Sequence, residues 1–326
     1  MKLPHRRQFL HLAAGAAALP AVSPEARAQA YPTRPVHIIV GFAAGGGTDI
    51  LARLIGQWLS ERLGQQFIIE NRPGGNSNIA AEAVVRAPSD GYTLLLVTPT
   101  NAINATLYDR LSFNFIHDIA PIGSVSRETM VMVVNPSFPA KTVPEFIEFA
   151  NSTPGKINMA SAGSGSLNTM AGELFKMMTG VNMLDVPYRG GAPALTDLLG
   201  GQVGVFFAGL AASIGYIRAG KLHPLAVTTM NRSELLRDIP TVAEFVPGYE
   251  AIAWYGIGAP KNTPAEIISK LNNEINAALA SPVMKARLAD QGATPLPGSP
   301  ADFGKLIADE TEKWGKVIRA ANIKAD

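Results

Sequence analysis

Short apolar runs alternate with amphipathic stretches along the chain from residue 31 onward. The apolar runs have the length of strands and end at Gly, Pro, Asn or Asp, which is typical of buried β-strands. The stretches between them carry apolar residues at helical spacing. The runs predict strands at residues 36–40, 67–70, 92–97, 130–134, 157–161, 183–186, 203–207, 225–228 and 252–257.

The amphipathic stretches predict helices at residues 51–63, 78–86, 142–150 and 167–178, and two more that begin near residues 264 and 300. Thr142 and Glu145 have the spacing of a capping box. Thr263 stands where an N-cap is expected before the helix that follows Pro264. Strand–helix alternation throughout the chain predicts an α/β fold with mostly parallel sheets.

The length of the chain favours two domains. Its 326 residues exceed the usual size of a single hydrophobic core. No low-complexity linker separates two halves. Two domains without a linker indicate that the chain crosses between them several times, which creates a hinged cleft.

The first 30 residues have the pattern of an export signal. Arg6 and Arg7 precede an apolar stretch at residues 12–19, and small residues close the segment at 26–30. The apolar stretch is too short to cross a bilayer of about 30 Å. We therefore predict a cleavable signal peptide of twin-arginine type over residues 1–30 and a periplasmic protein.

Removing that segment changes the charge balance. The chain has 28 basic and 26 acidic residues. Residues 1–30 hold four of the basic residues and one of the acidic residues, so 24 basic and 25 acidic residues remain. This balance gives no reason to expect a nucleic acid or an anionic membrane as partner. The chain has no cysteine, and His37, His117 and His223 lack the spacing of metal ligands. We expect no metal and no cofactor.

Two glycine-rich turns each join a predicted strand to a predicted helix, at residues 41–49 and 161–166. Glycine allows the backbone to approach a ligand closely. A helix N-terminus offers unpaired N–H groups and a partial positive charge, so a carboxylate or phosphate can bind there without a lysine. Open α/β sheets bind ligands at the carboxyl ends of their strands, where these turns lie.

Other interpretations of the turns stay open. Glycine also serves simply to turn the chain, Thr48 can act as a cap, and Asp49 can complement the helix dipole. The first turn lacks the Gly-Lys-Ser/Thr ending of a phosphate-binding loop, and the second has Asn168 in place of the last glycine of a dinucleotide fingerprint. Ser164 or Ser166 could be proposed as the nucleophile of a hydrolase. However, no histidine lies nearby in the sequence, and the Gly-x-Ser-x-Gly pattern is absent.

The chain resembles the Bug family, the extracytoplasmic solute receptors also called TctC-type binding proteins of tripartite tricarboxylate transporters. The resemblance rests on short stretches that follow one another in family order over nearly the whole chain after residue 30. These stretches lie at residues 31–35, 42–49, 70–75, 90–94, 163–166, 186–190, 197–203, 219–222, 239–241 and 259–260.

The resemblance implies a type II periplasmic-binding-protein fold, in which two α/β lobes close on a ligand. It places the crossings near residues 127–131 and 252–254. Lobe one then holds residues 31–130 and 253–326, and lobe two holds residues 131–252. It further implies that the protein is not an enzyme, is monomeric, and passes a small carboxylate to the membrane permease subunits of a tripartite tricarboxylate transporter.

By position, the resemblance places the ligand carboxylate on the two glycine-rich turns, with backbone N–H groups and waters as its main contacts. The residues implied for lobe one are Phe42, Ala43, Ala44, Gly46, Thr48 and Asp49. Those implied for lobe two are Ser161, Gly163, Ser164, Gly165 and Ser166, with Tyr188 and Gly190 on the wall.

The chain departs from the family pattern at two places. Many relatives have histidine where this chain has Asn168, and many carry an acidic residue in the segment that matches residues 204–209. These changes make the wall less polar if the side chains touch the ligand. Two other functions stay open: a ligand sensor for a signalling partner, and an exported hydrolase or lyase that uses the cleft.

Overall fold

The computed structural model describes residues 31–163, 165–188 and 190–325. The predicted signal peptide, Ser164 and Arg189 therefore lie outside the described residues. Among the described helices, none is long and apolar enough to cross a membrane.

The first part of the chain alternates strands and helices as its sequence predicts. Its elements are β1 (Val36–Val40), α1 (Gly47–Leu63), β2 (Phe67–Asn71), α2 (Asn78–Val85), β3 (Thr93–Val97), α3 (Pro99–Leu107), α4 (Phe115–Asp118) and β4 (Ile119–Val134). A single 3₁₀ turn at Gly75–Ser77 precedes α2.

The alternation continues after β4. The middle elements are α5 (Val143–Ser152), β5 (Ile157–Ser161), α6 (Leu167–Thr179), β6 (Met183–Pro187), α7 (Gly191–Leu199), β7 (Val205–Gly209), α8 (Leu210–Arg218) and β8 (His223–Val227). The last elements are β9 (Ile252–Pro260), α9 (Ala265–Ala280), α10 (Pro282–Asp290), β10 (Ala293–Pro295) and α11 (Pro300–Ala321), with a 3₁₀ turn at Val242–Glu244 before β9.

The strands follow the order β2-β1-β3-β9-β4-β7-β5-β6, and β8 and β10 also pair with β4. β1 is parallel to β2 and β3, and β5 is parallel to β6 and β7. All pairings of β4, and that of β3 with β9, are antiparallel. The expectation of mostly parallel sheets was therefore wrong, because the long strands β4 and β9 return through the middle antiparallel to their neighbours.

The 16-residue strand β4 changes partners along its length. From Ile119 to Thr129 it pairs with β9, and from Met130 to Val134 it pairs with β7 and β8. β4 thus connects two groups of strands, and each group is covered by its own helices.

Separate apolar clusters fill the two groups. α1 packs on β1 and β2 through residues such as Ile55, and α9 packs on β4 and α1 through residues such as Leu271, both fully buried. α6 packs on β5 and β7 through Phe175, and this cluster also takes in Trp314 of α11. Trp254 and Trp314 are core residues, and both indoles donate hydrogen bonds to Glu310.

Two cap predictions need correction. Thr142 caps α5, but the Glu145 carboxylate accepts the N–H of Lys141 instead of that of Thr142, so the capping box is incomplete. α9 has no side-chain cap, because the Thr263 hydroxyl donates to the carbonyl of Pro260.

Several elements differ from the predicted pattern. The strand predicted at residues 203–207 lies at Val205–Gly209. Four helices that the pattern missed, α3, α7, α8 and α10, have nine residues each. They have few large apolar residues and contain Gly or Pro, so no clear stripe marks them.

Candidate ligand-binding site

A cavity of about 1070 Å³ opens where the carboxyl ends of β1, β3, β5, β6 and β7 face one another. The residues that follow these strands line it, together with residues 73–77, the middle of β4 and the beginning of β9. The glycine-rich turns at residues 41–49 and 161–166 both contribute to its wall. A second cavity of about 320 Å³, beside Lys156, is lined by none of the predicted site residues.

Five helices begin at the wall of the large cavity. The first residues of α1, α3, α6, α7 and α8 line it, and the residues that precede these helices are Gly46, Thr98, Ser166, Gly190 and Gly209. The first N–H groups of a helix have no partner within the helix, and its N-terminus carries a partial positive charge. Five such ends around one cavity create a strong preference for an anion.

The first glycine-rich turn is organised by the buried carboxylate of Asp49. It accepts hydrogen bonds from the N–H of Gly45, from Arg53 at 2.9 Å and from Asn71 at 3.0 Å. Burial alone would raise the pKa of Asp49, but these hydrogen bonds outweigh it and hold the pKa below its usual value. Asp49 thus stabilises the first glycine-rich turn without being part of the cavity wall.

The second turn is held by its own hydroxyl groups. Ser166 caps α6 by accepting the N–H of Thr169, and the Thr169 hydroxyl donates to the carbonyl of Gly163 at 2.7 Å. On the same helix, the Asn168 amide donates to the carbonyl of Phe207 at 2.6 Å. Asn168 therefore lines the cavity while tying α6 to β7.

The structure brings many of the predicted site residues to the cavity. Those that line it are Phe42, Ala43, Thr48, Gly163, Ser166, Tyr188 and Gly190. Those that are not part of its wall are Ala44, Gly46, Asp49, Ser161 and Gly165. Ser164 lies outside the described residues.

The resemblance implies that Gly165 contacts the ligand, but Gly165 does not line the cavity. A Cβ atom added there would lie 2.7 Å from Nδ2 of Asn76, 2.9 Å from Cδ2 of Leu107 and 3.1 Å from Oδ1 of Asn104. The second glycine-rich turn therefore packs directly against α3 and the segment before α2. Gly165 makes this close packing possible.

The segment at residues 73–77 has a strained backbone. Asn76 and Ser77 have φ values of 51° and 70°, in the left-handed region that non-glycine residues rarely adopt. Asn104 holds the segment by donating to the carbonyl of Asn76 at 2.6 Å and to Asn78 at 2.9 Å. Gly41 leaves room for the Ser77 side chain, which a Cβ at position 41 would overlap.

Sequence reasoning missed Glu128 and Tyr255, which meet in the cavity wall. The Tyr255 hydroxyl donates to the Glu128 carboxylate at 3.1 Å, and the N–H of Ala211 donates to it at 3.4 Å. Burial raises the pKa of Glu128 to about 7, and the two hydrogen bonds only partly offset it. Nothing in the local sequence marks Glu128, because its neighbours come from distant segments.

Tyr188 contributes its ring to the wall. Its hydroxyl donates to Asp197 at 2.7 Å. Burial, together with this carboxylate, raises the pKa of Tyr188 to about 12. The phenol is thus a neutral part of the wall at physiological pH, and its position is fixed by α7.

No group of His, Cys, Asp and Glu in the described part of the chain is arranged to hold a metal ion. Among the described residues that line the large cavity, Glu128 is the one carboxylic acid, and no lysine, arginine or histidine stands beside it. The arrangement offers backbone N–H groups, hydroxyls and amides, which suit binding of a small anion.

The model of the tripartite tricarboxylate transporter family receptor, TctC, matches residues 51–323 of this chain. The chain belongs to this family. The resemblance that the short motifs indicate is thereby confirmed, and this TctC receptor is a solute-binding protein.

Named relatives agree with that assignment. Protein BugT of Bordetella pertussis is 35% identical over 300 residues, which cover 91% of this chain and 92% of BugT. The R. palustris protein solved with adipate is 40% identical, with a TM-score of 0.83 over 91% of this chain and 100% of that one. MatC from Rhodopseudomonas palustris, solved with bound malate, is 31% identical, with a TM-score of 0.79 over 88% of this chain and 100% of MatC.

These likenesses also confirm the predicted fold. The periplasmic binding protein BugD, 32% identical, has a TM-score of 0.80 over 91% of this chain and 100% of BugD, so this TctC receptor has the α/β architecture of periplasmic solute-binding proteins.

Proposed function

We propose that this TctC receptor captures a small carboxylate in the large cavity and delivers it to the membrane subunits of a tripartite tricarboxylate transporter. The observation that carries the proposal is the convergence of five helix N-termini on one cavity. Such ends bind anions through backbone N–H groups. The structures of two relatives with adipate and malate support a carboxylate as the anion.

The partner change of β4 supports the lobe boundaries that the resemblance implies. Lobe one comprises residues 31–130 and 253–326, and lobe two comprises residues 131–252. The change from β9 to β7 falls between Thr129 and Met130, and Thr129 pairs with Ile252 at the start of β9. The two crossings therefore lie side by side, which suits a hinge.

Capture works by closure of the lobes. The anion bridges the turn at residues 41–49 of lobe one and the turn at residues 161–166 of lobe two. A ligand shifts the balance between open and closed forms only by its higher affinity for the closed form. The closed form then presents the surface that the permease recognises.

The protein performs no chemistry on its ligand and works as a monomer in the periplasm, after removal of residues 1–30. The composition of the cavity wall supports the absence of catalysis. His37, His117 and His223 are not part of that wall, so no histidine among the described residues stands beside a nucleophile there.

Thermal unfolding of the protein without residues 1–30 tests the proposal. The panel contains adipate, malate and other small carboxylates, each beside its uncharged amide. A ligand at one hundred times its Kd adds about 2.7 kcal/mol to the free energy of unfolding. This raises the Tm by several degrees in a protein of this size.

A rise in Tm with an acid but not with its amide is the expected result. The proposal fails if the protein is folded and no acid in the panel changes its Tm.

A further inference from the structure

The Glu128 carboxyl group stands in a cavity built to attract anions. The first residues of five helices surround it, and two of these helices, α1 and α8, begin next to the Glu128–Tyr255 pair. A bound carboxylate would bring a second negative charge into the same enclosed space. Two carboxylates close together cannot both stay ionised in a poorly solvated site without a large energetic penalty.

The space for this carboxyl group comes from Gly209. A Cβ atom added at Gly209 would lie 2.9 Å from Oε1 of Glu128. The N–H of Ala211, in the first turn of α8, donates to the same oxygen at 3.4 Å, which is a long hydrogen bond. The carboxyl group, which lies in the cavity wall, is therefore held by one hydrogen bond of ordinary length, from Tyr255.

We propose that Glu128 takes up a proton when an anionic ligand binds and then donates a hydrogen bond from its carboxyl group to the ligand carboxylate. The proton comes from solvent, so one proton and one ligand enter the cavity together. This inference rests on the proposed function, because it concerns the same cavity. It makes Glu128 the residue that discriminates between purely anionic ligands and ligands that carry an ammonium group.

Two tyrosines are the other ionisable groups among the described residues that line the cavity. From β9, Glu128 meets the Tyr255 phenol, whose pKa is raised well above its usual value by burial and by Glu128 itself. On its own strand, Arg127 is exposed and donates to Thr294 of β10. Across the cavity, Tyr188 has a pKa of about 12.

The remaining neighbours are neutral where they face the cavity. α1 contributes Thr48, which is hydrogen-bonded to Tyr255. The turn after α10 contributes Gln291, while Asp290 before it is exposed. The ionisable residues of α8, Tyr216 and Arg218, lie in its last turn. Among the described residues that line the cavity, Glu128 is therefore the group whose pKa lies between 6 and 8.

The direction of the pH effect follows from the free protein. Burial already raises the pKa of Glu128 to about 7 before any ligand is present. The ligand raises this pKa further, so binding requires protonation above pH 7 and Kd increases tenfold for each further pH unit. We expect a Kd about tenfold higher at pH 8 than at pH 6, with uptake of about one proton per ligand at pH 8.

Isothermal titration calorimetry with adipate and with malate tests this inference. Titrations at pH 6, 7 and 8, in buffers of different ionisation enthalpy, give both Kd and the number of protons taken up. Glu128→Gln keeps the shape but cannot titrate, so its Kd should not change with pH and should be about tenfold lower than that of the wild type at pH 8. Tyr255→Phe removes a hydrogen bond that lowers the pKa of Glu128. The pH at which the Kd begins to increase should therefore be higher in this variant than in the wild type.

Distinct results separate this inference from the function on which it rests. Binding of either acid with the same Kd at pH 6 and pH 8, and without proton uptake, overturns the role of Glu128 but leaves the receptor function intact. Absence of binding at pH 6 of every acid in the unfolding panel to the folded protein overturns both. Glutamate carries an ammonium group that ionised Glu128 can pair with, so a weakening of glutamate binding from pH 6 to pH 8 as large as that of adipate would overturn the discriminating role of Glu128.

Discussion

Replacement of Gly165 by alanine tests whether the second glycine-rich turn must pack against lobe one during capture. The new methyl group would lie 2.7 Å from the Asn76 amide nitrogen and 2.9 Å from a Leu107 methyl group. Asn104, 3.1 Å away, is held by two hydrogen bonds and cannot move aside freely. The crowding therefore falls on side chains with little room to adjust.

Overpacking of this kind costs about 1–3 kcal/mol. The cost arises only where the second turn meets α3 and residue 76, so opening of the lobes relieves it. The strain thus opposes the closed form, and the Kd for the carboxylate should rise about 5- to 150-fold. The Tm of the ligand-free protein should change little, because the open form is not strained.

Calorimetric Kd values at pH 6 for the wild type and Gly165→Ala provide the assay. Gly215→Ala on α8 is the matched control, since a Cβ there meets no atom within 4 Å. Small-angle X-ray scattering at saturating ligand should show the Gly165→Ala protein less compact than the wild type. A folded Gly165→Ala protein that binds with the wild-type Kd would show that close packing at Gly165 is not needed for capture.

Three further predictions concern stability. Asp49→Ala should lower the free energy of unfolding at pH 7 by about 1–3 kcal/mol in urea titrations, because it leaves buried donors unpaired. The difference in stability between the wild type and this variant should disappear as the pH falls below 3.8, the usual pKa of an aspartate side chain. Because burial raises the pKa of Glu128 from 4.5 to about 7, ligand-free wild type should lose stability as the pH rises from 5 to 8, and Glu128→Gln should remove this slope. Gly41→Ala should lower the Tm because its methyl group overlaps the Ser77 side chain, whereas Gly47→Ala, with no atom within 4 Å of its Cβ, should not.

Elements with large apolar residues at regular spacing could be predicted from the sequence. The stripe of α1 contains Leu51, Ile55 and Leu59, all buried, and it ends at Gly64 in the left-handed conformation. Short helices such as α7 could not be predicted, because Gly, Ala and Thr residues give little periodic signal and neighbouring strands stabilise them. The sheet direction was mispredicted because alternation along the chain does not reveal which strands pair.

The turns of the candidate site could be predicted because glycine before a helix is a local signal. The details depend on contacts distant in sequence. Gly165 packs against Asn76, which lies 89 positions earlier in the chain. Glu128 acquires its surroundings from Gly209 and Tyr255, and no local pattern encodes such a meeting.

A crystal structure of the protein without residues 1–30, grown with the acid that raises its Tm most, tests the central claim most directly. We expect the ligand in the large cavity, with a carboxylate within hydrogen-bond distance of N–H groups at the starts of α1 and α6, directly or through water. A carboxylate bound away from both helix starts would contradict that claim.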